Sequence, residues 1–317
     1  MPKSDPSPVQ VRFVDFWPSF DADDFFMPLL TQAFSAVSIS RGLGVRNRAH
    51  LEIRSVFPPR RLPRIAQELA LRAQGGVAST RRVLYSGEAP QKPSMRADLV
   101  LGHEETDELA GRVYLPHILA AMSWGDPRRS TEAGRRRGLE VRSEVVARPR
   151  LTSSHGRDRF ACAFIGRPTP EREKLITALQ RLGPVDVFGA WTGRSVTSKA
   201  EVSSRYRFML CPENSLIPGY VTEKILDSWA LGCVPIYGGL DTHELLNPGA
   251  FVDVNGFGSS EGLLDRINEL NTSHDRWEEV ASEQLFRRTP SLAGVARSIA
   301  STVRRTEVPR GEWPPSS

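Results

Sequence analysis

The sequence predicts an α/β protein of two successive units, each with a mostly parallel sheet. Three observations predict it. Strand-length apolar runs alternate with helical stretches from Val11 onward, the pattern of a parallel sheet covered by helices. The alternation breaks between Asp126 and Arg159, where ten arginines stand against five acids, and then starts again. The length, 317 residues, fits two domains of roughly 150 residues each. The expected division is an N-terminal unit over 1–150 and a C-terminal unit over 151–308, with a disordered tail over 309–317. The arginine-rich part from about 126 reads as a mobile connection, and a ligand cleft is expected between the units.

In the first unit Val11–Trp17 reads as a strand and Asp23–Val37 as a helix with acids in its first turn, where the helix dipole favours them. Leu51–Phe57 is a second strand. Pro63–Gln74 is a helix ended by Gly75-Gly76. Arg82–Tyr85 is a strand running into Ser86-Gly87-Glu88, and Asp98–Leu101 and Arg112–Leu115 are two more. After the break, Phe160–Ile165 is a strand, and Pro170–Leu182 is a helix with Leu175, Ile176, Leu179 and Leu182 on its apolar side. Val185–Phe188 is a strand stopped by Gly189. Strand Tyr206–Cys211, helix Thr222–Leu231 and strand Val234–Tyr237 follow, then strand Phe251–Val254 and closing helices to about Arg305.

Composition removes several function classes. No apolar run approaches the ~20 residues needed to span a bilayer. The opening MPKSDPSPVQ is polar and proline-rich with no apolar core, so no signal peptide is expected and a cytoplasmic location follows. Cys162, Cys211 and Cys233 are odd in number, form no CxxC and sit in apolar contexts, which predicts buried reduced thiols. The six histidines make no metal-binding pattern, so no metal site is expected. The net charge of +5 suits nucleic acid, anionic lipid or phosphorylated substrates. No nucleic-acid-binding motif accompanies it, and no nucleic-acid partner is expected.

The segment Tyr206–Gly239 carries most of the functional information, because a strand-loop-helix-strand unit holds nucleotides at the carboxyl edge of a parallel sheet. Thr222 stands as N-cap of a helix whose Ile225, Leu226, Trp229 and Ala230 face the core. The free backbone N–H groups of its first turn attract phosphate. Lys224 adds a cation, and Glu223 can accept from sugar hydroxyls; the alternative is that both only solvate the helix start. Glu213-Asn214 either grips a base or sugar edge or forms a turn. Gly238-Gly239 either admits a ligand close to the backbone or is an ordinary turn. Arg172, in the first turn of its helix, either offsets a diphosphate or is a surface arginine. Glu88, at a strand's carboxyl end, is a candidate general base, against an exposed loop glutamate. Asp21 and Asp23 read as acidic helix capping rather than a metal-holding pair.

The same segment resembles the signature of the α1,3/α1,4-fucosyltransferases, family 10 of the glycosyltransferases. The likeness lies in Tyr206 and Phe208, Glu213-Asn214, Gly219-Tyr220-Val221-Thr222-Glu223-Lys224, and Val234-Pro235-Ile236-Tyr237 ahead of glycine. Weaker likeness to the bacterial members runs through Arg82–Glu88, the helix with Arg172, and Phe251–Val254. The resemblance implies a GT-B fold, in which two Rossmann-like α/β domains face each other across a cleft. It implies an N-terminal acceptor domain and a C-terminal GDP-fucose domain, with inverting transfer to a saccharide acceptor and no essential metal or other cofactor. On that resemblance Glu88 is the base, and Arg172 and Lys224 neutralise the GDP diphosphate. Glu223 holds ribose or stabilises charge on the sugar, and Asn214 and Tyr220 line the donor pocket.

The chain departs from that pattern at Pro212, where the family has an aromatic, and at Gly238, where it has tryptophan. Gly166-Arg167-Pro168 stands where the family favours a small-polar pair. The heptad repeats and basic tail of some bacterial members have no counterpart, which leaves only a peripheral membrane contact open. Two alternatives accompany the resemblance: the same fold with another nucleotide-sugar donor, or a non-catalytic nucleotide-sugar-binding protein. Trp17, His103 and Trp124 are candidates for sugar contact, each equally well read as structural.

Overall fold

The computed structural model describes residues 7–17, 19–39, 49–56, 80–87, 97–125, 130–131, 134–135 and 138–304. They form two compact units, one from the residues up to Pro116 together with those from Ser291, the other from His117 to Pro290. In the first, strands β1 (Val9–Val14), β2 (Val37–Ile39), β3 (Leu51–Arg54), β4 (Arg81–Tyr85), β5 (Leu99–Gly102) and β6 (Arg112–Tyr114) pair in parallel in the order β2-β1-β3-β4-β5-β6. Helix α1 (Phe26–Ala33) follows β1. It begins three residues later than expected, at an N-cap position held by Phe25 and with no acid in its first turn. Asp21 instead closes a turn ahead of it, its Oδ1 accepting from Asp23 N at 3.0 Å and its carbonyl from Asp24 N at 3.3 Å. The capping reading of Asp21 and Asp23 is therefore corrected: a local Asx turn takes up the acid before the helix begins. The edge strand β2 was not expected, being three residues long. The Pro63–Gln74 helix lies outside the described residues.

The second unit opens with the short helix α2 (His117–Ala120). Strand β7 (Arg159–Phe164), helix α3 (Pro170–Leu179), β8 (Val185–Phe188) and α4 (Lys199–Ser203) follow. Next come β9 (Tyr206–Pro212), α5 (Glu223–Ala230), β10 (Val234–Gly238) and β11 (Val252–Asp253), then α6 (Ser260–Thr272) and α7 (His274–Ser282). The sheet is parallel in the order β11-β10-β9-β7-β8. Both faces are covered, so its strands are continuous apolar runs rather than alternating ones. On one face Phe160, Ala161, Ala163, Phe208, Leu210, Val234 and Ile236 pack with residues of α3, α6 and α7, including Leu179, Ile267 and Trp277. On the other, Cys162, Met209 and Cys233 pack with Phe188 and Tyr206. All three cysteines are free and buried, as expected.

Helix α8 (Ala293–Arg304) packs against α1 and so belongs to the first unit, although the sequence reading ran the C-terminal unit to 308. The boundary also differs, at Pro116/His117 rather than near 150. The arginine-rich stretch is held where it is described. Arg150 N donates to Ser282 O at 2.9 Å, and Phe286 N to Val146 O at 2.9 Å. Its arginines serve as donors to strand-end and helix-end carbonyls: Arg150 to Cys233 O (3.0 Å), and Arg157 to Tyr206 O (2.7 Å), Ser203 O (3.1 Å) and Leu231 O (3.0 Å). A guanidinium carries five donors in a fixed fork, which satisfies backbone acceptors that low hydrophobicity alone would not reveal. No helix among the described residues is long and apolar enough to cross a membrane.

Candidate functional site

The connections after β7 and β9 leave to opposite sides of the second sheet. One leads through α3 to β8 and the other through α5 to β10. Their carboxyl ends therefore flank a topological switch point, where open α/β sheets bind ligands. The segment singled out in the sequence supplies most of this edge.

From the β7 side comes Arg172. Thr169 caps α3, its Oγ1 accepting from Arg172 N at 3.3 Å, and Pro170 occupies the first turn, where its missing N–H costs nothing. Arg172 is 6% exposed, so it is not a surface arginine. Its guanidinium donates to Arg167 O at 2.8 Å, Pro212 O at 3.1 Å and Asn214 Oδ1 at 2.7 Å. Its Nε is buried and makes no hydrogen bond among the described residues. Burial lowers the Arg172 pKa, while Glu213 and Tyr220 pull it back up.

From the β9 side comes the Glu213-Asn214 pair, and the two point to different places. Asn214 is exposed and meets Arg172. Glu213 turns inward, and its side chain is wholly buried. Its carboxylate accepts from Thr222 N at 2.7 Å, from Thr222 Oγ1 at 2.7 and 2.9 Å, and from Lys224 Nζ at 3.1 Å. The Tyr237 hydroxyl lies 3.5 Å away. The reading of Glu213 as a grip on a base or sugar edge is thus corrected: the polar groups at the start of α5 occupy it. Thr222 does stand at the N-cap position of α5, yet its hydroxyl serves Glu213 rather than the helix backbone. Burial raises the Glu213 pKa against the pull of Lys224 and Thr222, and Glu223 adds to the rise. Lys224 responds oppositely. Burial would lower it, but Glu223 and Glu213 hold its ammonium well above the usual lysine value.

Glu223 lies 3.9 Å from Lys224 Nζ, and its other oxygen is 3.7 Å from His117 Nε2. His117 is a neighbour of this site that the sequence reading missed. It lies 106 positions before Glu223 in the sequence and belongs to no local pattern. Tyr220 is buried rather than lining an open surface, close enough to influence the charge of both Arg172 and Lys224. Gly219 adopts φ +73°, a left-handed conformation that favours glycine. Its N–H donates to Leu240 O at 2.8 Å, which ties the loop before α5 to the end of β10. Gly238 and Pro212 are register partners on β10 and β9, and Gly238 O accepts from Glu213 N at 2.8 Å.

Arg172, Asn214, Tyr220, Glu223 and Lys224 are thus brought together at one sheet edge. Glu88 lies outside the described residues. Trp124 Nε1 donates to Leu119 O at 2.7 Å. Trp17 packs among Phe16 and Phe20, at 5.6 and 5.3 Å between ring centroids. His103 is buried, and burial lowers its pKa. Among the described residues no cluster of three or more His, Cys, Asp or Glu could hold a metal ion.

Residues 155–282 match the glycosyltransferase family 10 (fucosyltransferase) C-terminal domain. The chain is 35% identical over 129 residues to alpha-(1,3)-fucosyltransferase FucT of Helicobacter pylori, covering 39% of this chain and 27% of the relative. It is 33% identical over 145 residues to 3-galactosyl-N-acetylglucosaminide 4-alpha-L-fucosyltransferase FUT3 of Homo sapiens, covering 44% of this chain and 40% of that protein. The chain thus matches less than half the length of these curated relatives. The fold is similar to that of a crystallised alpha1,3-fucosyltransferase with GDP-fucose, with a TM-score of 0.67 and 18% identity over 97% of this chain and 94% of the other. Its two parallel α/β sheets are the two Rossmann-like domains of the GT-B class.

Proposed function

We propose, on the premise that residues 155–282 belong to the glycosyltransferase family 10 (fucosyltransferase) C-terminal domain, that this protein is an inverting fucosyltransferase. It moves L-fucose from GDP-fucose to a hydroxyl of an oligosaccharide or glycan acceptor. The observation that carries the proposal is the joining of Arg172 and Lys224 to the consecutive residues Asn214 and Glu213, which brings two cations to the switch-point edge. A helix start with a nearby cation suits a nucleoside diphosphate.

In the proposed reaction the acceptor oxygen forms a bond to the fucose anomeric carbon as that carbon's bond to the β-phosphate oxygen breaks. The hydroxyl proton passes to Glu88, and the electron pair departs with GDP. Arg172 and Lys224 offset the charge gathering on GDP. One displacement inverts the anomeric centre. Two fixed cations supply the charge compensation that a divalent ion would otherwise give, so the proposal includes no essential metal. Lipopolysaccharide or capsular glycan precursors in the cytoplasm are the proposed setting, supported by the bacterial type of the resemblance.

The test is GDP release from GDP-fucose with N-acetyllactosamine-type, galactoside and GlcNAc acceptors, alongside GDP binding by calorimetry. Release with at least one acceptor is expected. Failure of both release and GDP binding overturns the proposal. A second reading, the same chemistry with another nucleotide-sugar donor, is favoured by one observation. Pro212 and Gly238, the two departures from the family pattern, face each other in register, so both alter the same spot. A donor panel separates the two readings.

A further inference from the structure

Glu213 is a charged group at this edge to which the proposed reaction gives no task. Its side chain is wholly buried, so it does not reach a bound sugar or base. Every polar contact it makes converges on the start of α5 or on β10: Thr222 N and Oγ1, Lys224 Nζ and the Tyr237 hydroxyl. Lys224 Nζ donates in addition to Thr222 Oγ1 at 2.9 Å, so two acceptors fix the end of a side chain that is otherwise freely rotating. A buried carboxylate is costly without a paired cation, and among the described residues Lys224 is the cation within 4 Å of it. Glu213 and Lys224 therefore hold each other in place.

We propose that Glu213 is a positioning residue that fixes the Lys224 ammonium for the donor diphosphate without itself touching the donor. This rests on the GDP-sugar reading of the same edge. The groups facing Glu213 are Lys224, Glu223 and Thr222 from α5, Arg172 from α3, Tyr237 from β10 and Cys211 from β9.

The experiment has two readouts. The first is the pH profile of Lys224 acylation, followed by mass spectrometry in the wild type and in Glu213→Gln. Glu213→Gln keeps the acceptor for Thr222 and removes the charge, so the profile should move to lower pH, with labelling at least about tenfold faster at fixed pH. The second is GDP affinity in a double-mutant cycle with Lys224→Met. Glu213→Gln should weaken GDP about tenfold alone, and less than about twofold in the Lys224→Met background. An unchanged acylation profile, or full additivity of the two substitutions, overturns the proposal. Should Glu213→Gln fail to fold, Glu213→Asp keeps the charge, shortens its reach and is expected to shift both readouts in the same direction. If the wild type does not bind GDP, the functional reading fails, and the acylation profile still decides the positioning role.

Discussion

The Arg172 guanidinium donates to the Asn214 side-chain oxygen at 2.7 Å, joining residues 42 positions apart in sequence. The same nitrogen also donates to the Pro212 carbonyl at 3.1 Å. One buried arginine thus locks the loop after β7 to the loop after β9, the two that leave the sheet in opposite directions. For the proposed donor site this means that the two loops do not have to be ordered by binding.

Replacing Arg172 therefore tests structure and binding together. Arg172→Ala leaves the Arg167 and Pro212 carbonyls without their donor and should cost about 3 kcal/mol in denaturant unfolding. Arg172→Lys retains the charge but not the fork, and should recover only part of that loss. GDP affinity should fall about tenfold or more in Arg172→Ala, which removes both the cation and the partner of Asn214, and less in Arg172→Lys, which keeps the charge. Calorimetry and urea unfolding on the same preparations check the two effects.

Stability on the acid side should depend on Glu52 of β3. Its side chain is nearly buried and meets Arg12 and Arg54, the latter at 3.0 Å. Burial alone would raise its pKa, but Arg54 and Arg12 outweigh it and hold the carboxyl below its ordinary value of 4.5. A folded value below the unfolded one means that the stabilisation is fully present above about pH 4.5 and is lost as pH falls through the folded value. Glu52→Gln should flatten that part of the acid limb relative to wild type. Glu52→Ala should cost about 3 kcal/mol at pH 7, since it strands two partly buried guanidinium groups. Urea unfolding from pH 7 down to pH 3 gives the difference curve.

The sheets were legible in the sequence because buried parallel strands write themselves as unbroken apolar runs: β7, β8, β9 and β10 match their expected spans within one residue at each end. The start of α1 was misplaced because the acids before it resemble a dipole-favoured first turn, whereas Asp21 closes a local turn. The unit boundary was misplaced for a different reason. Arginine-rich sequence looks solvated, yet Arg150 and Arg157 reach inward to backbone carbonyls. At the candidate site, residue types and their order along Tyr206–Gly239 were legible. Which member of Glu213-Asn214 faces inward was not. That direction is set by Thr222 and Lys224 of α5, nine and eleven positions later, and no local periodicity encodes it.

Glu88 gives a prediction that separates chemistry from binding. As the proposed base it acts on the acceptor hydroxyl and not on GDP. Glu88→Gln keeps the shape and removes the basic oxygen, so transfer should fall by about 10²-fold or more. GDP affinity should stay within about twofold of wild type. Initial-rate GDP release and calorimetry on one preparation make the comparison, and normal turnover in Glu88→Gln would place the base elsewhere.

The adjacent glycines at the end of β10 should respond in opposite ways to the same substitution. A Cβ at Gly238 would lie 3.5 Å from the Pro212 Cβ, an ordinary contact, and Gly238 is not among the positive-φ residues. Gly238→Ala should therefore leave the thermal midpoint nearly unchanged. A Cβ at Gly239 would clash with the Tyr237 hydroxyl oxygen. Tyr237 is 1% exposed and stacks edge-on against Phe251 at 5.7 Å, so its ring has no room to retreat. The hydroxyl also lies 3.5 Å from Glu213, and displacing it disturbs the carboxylate that holds Lys224. Gly239→Ala should cost about 2 kcal/mol through overpacking and weaken GDP as well, whereas Gly238→Ala should leave GDP affinity in place and shift only the preference among nucleotide-sugar donors. Thermal melts with and without GDP, followed by competition between donors, decide both halves. Equal destabilisation of the two variants would mean that Tyr237 yields where its packing says it cannot.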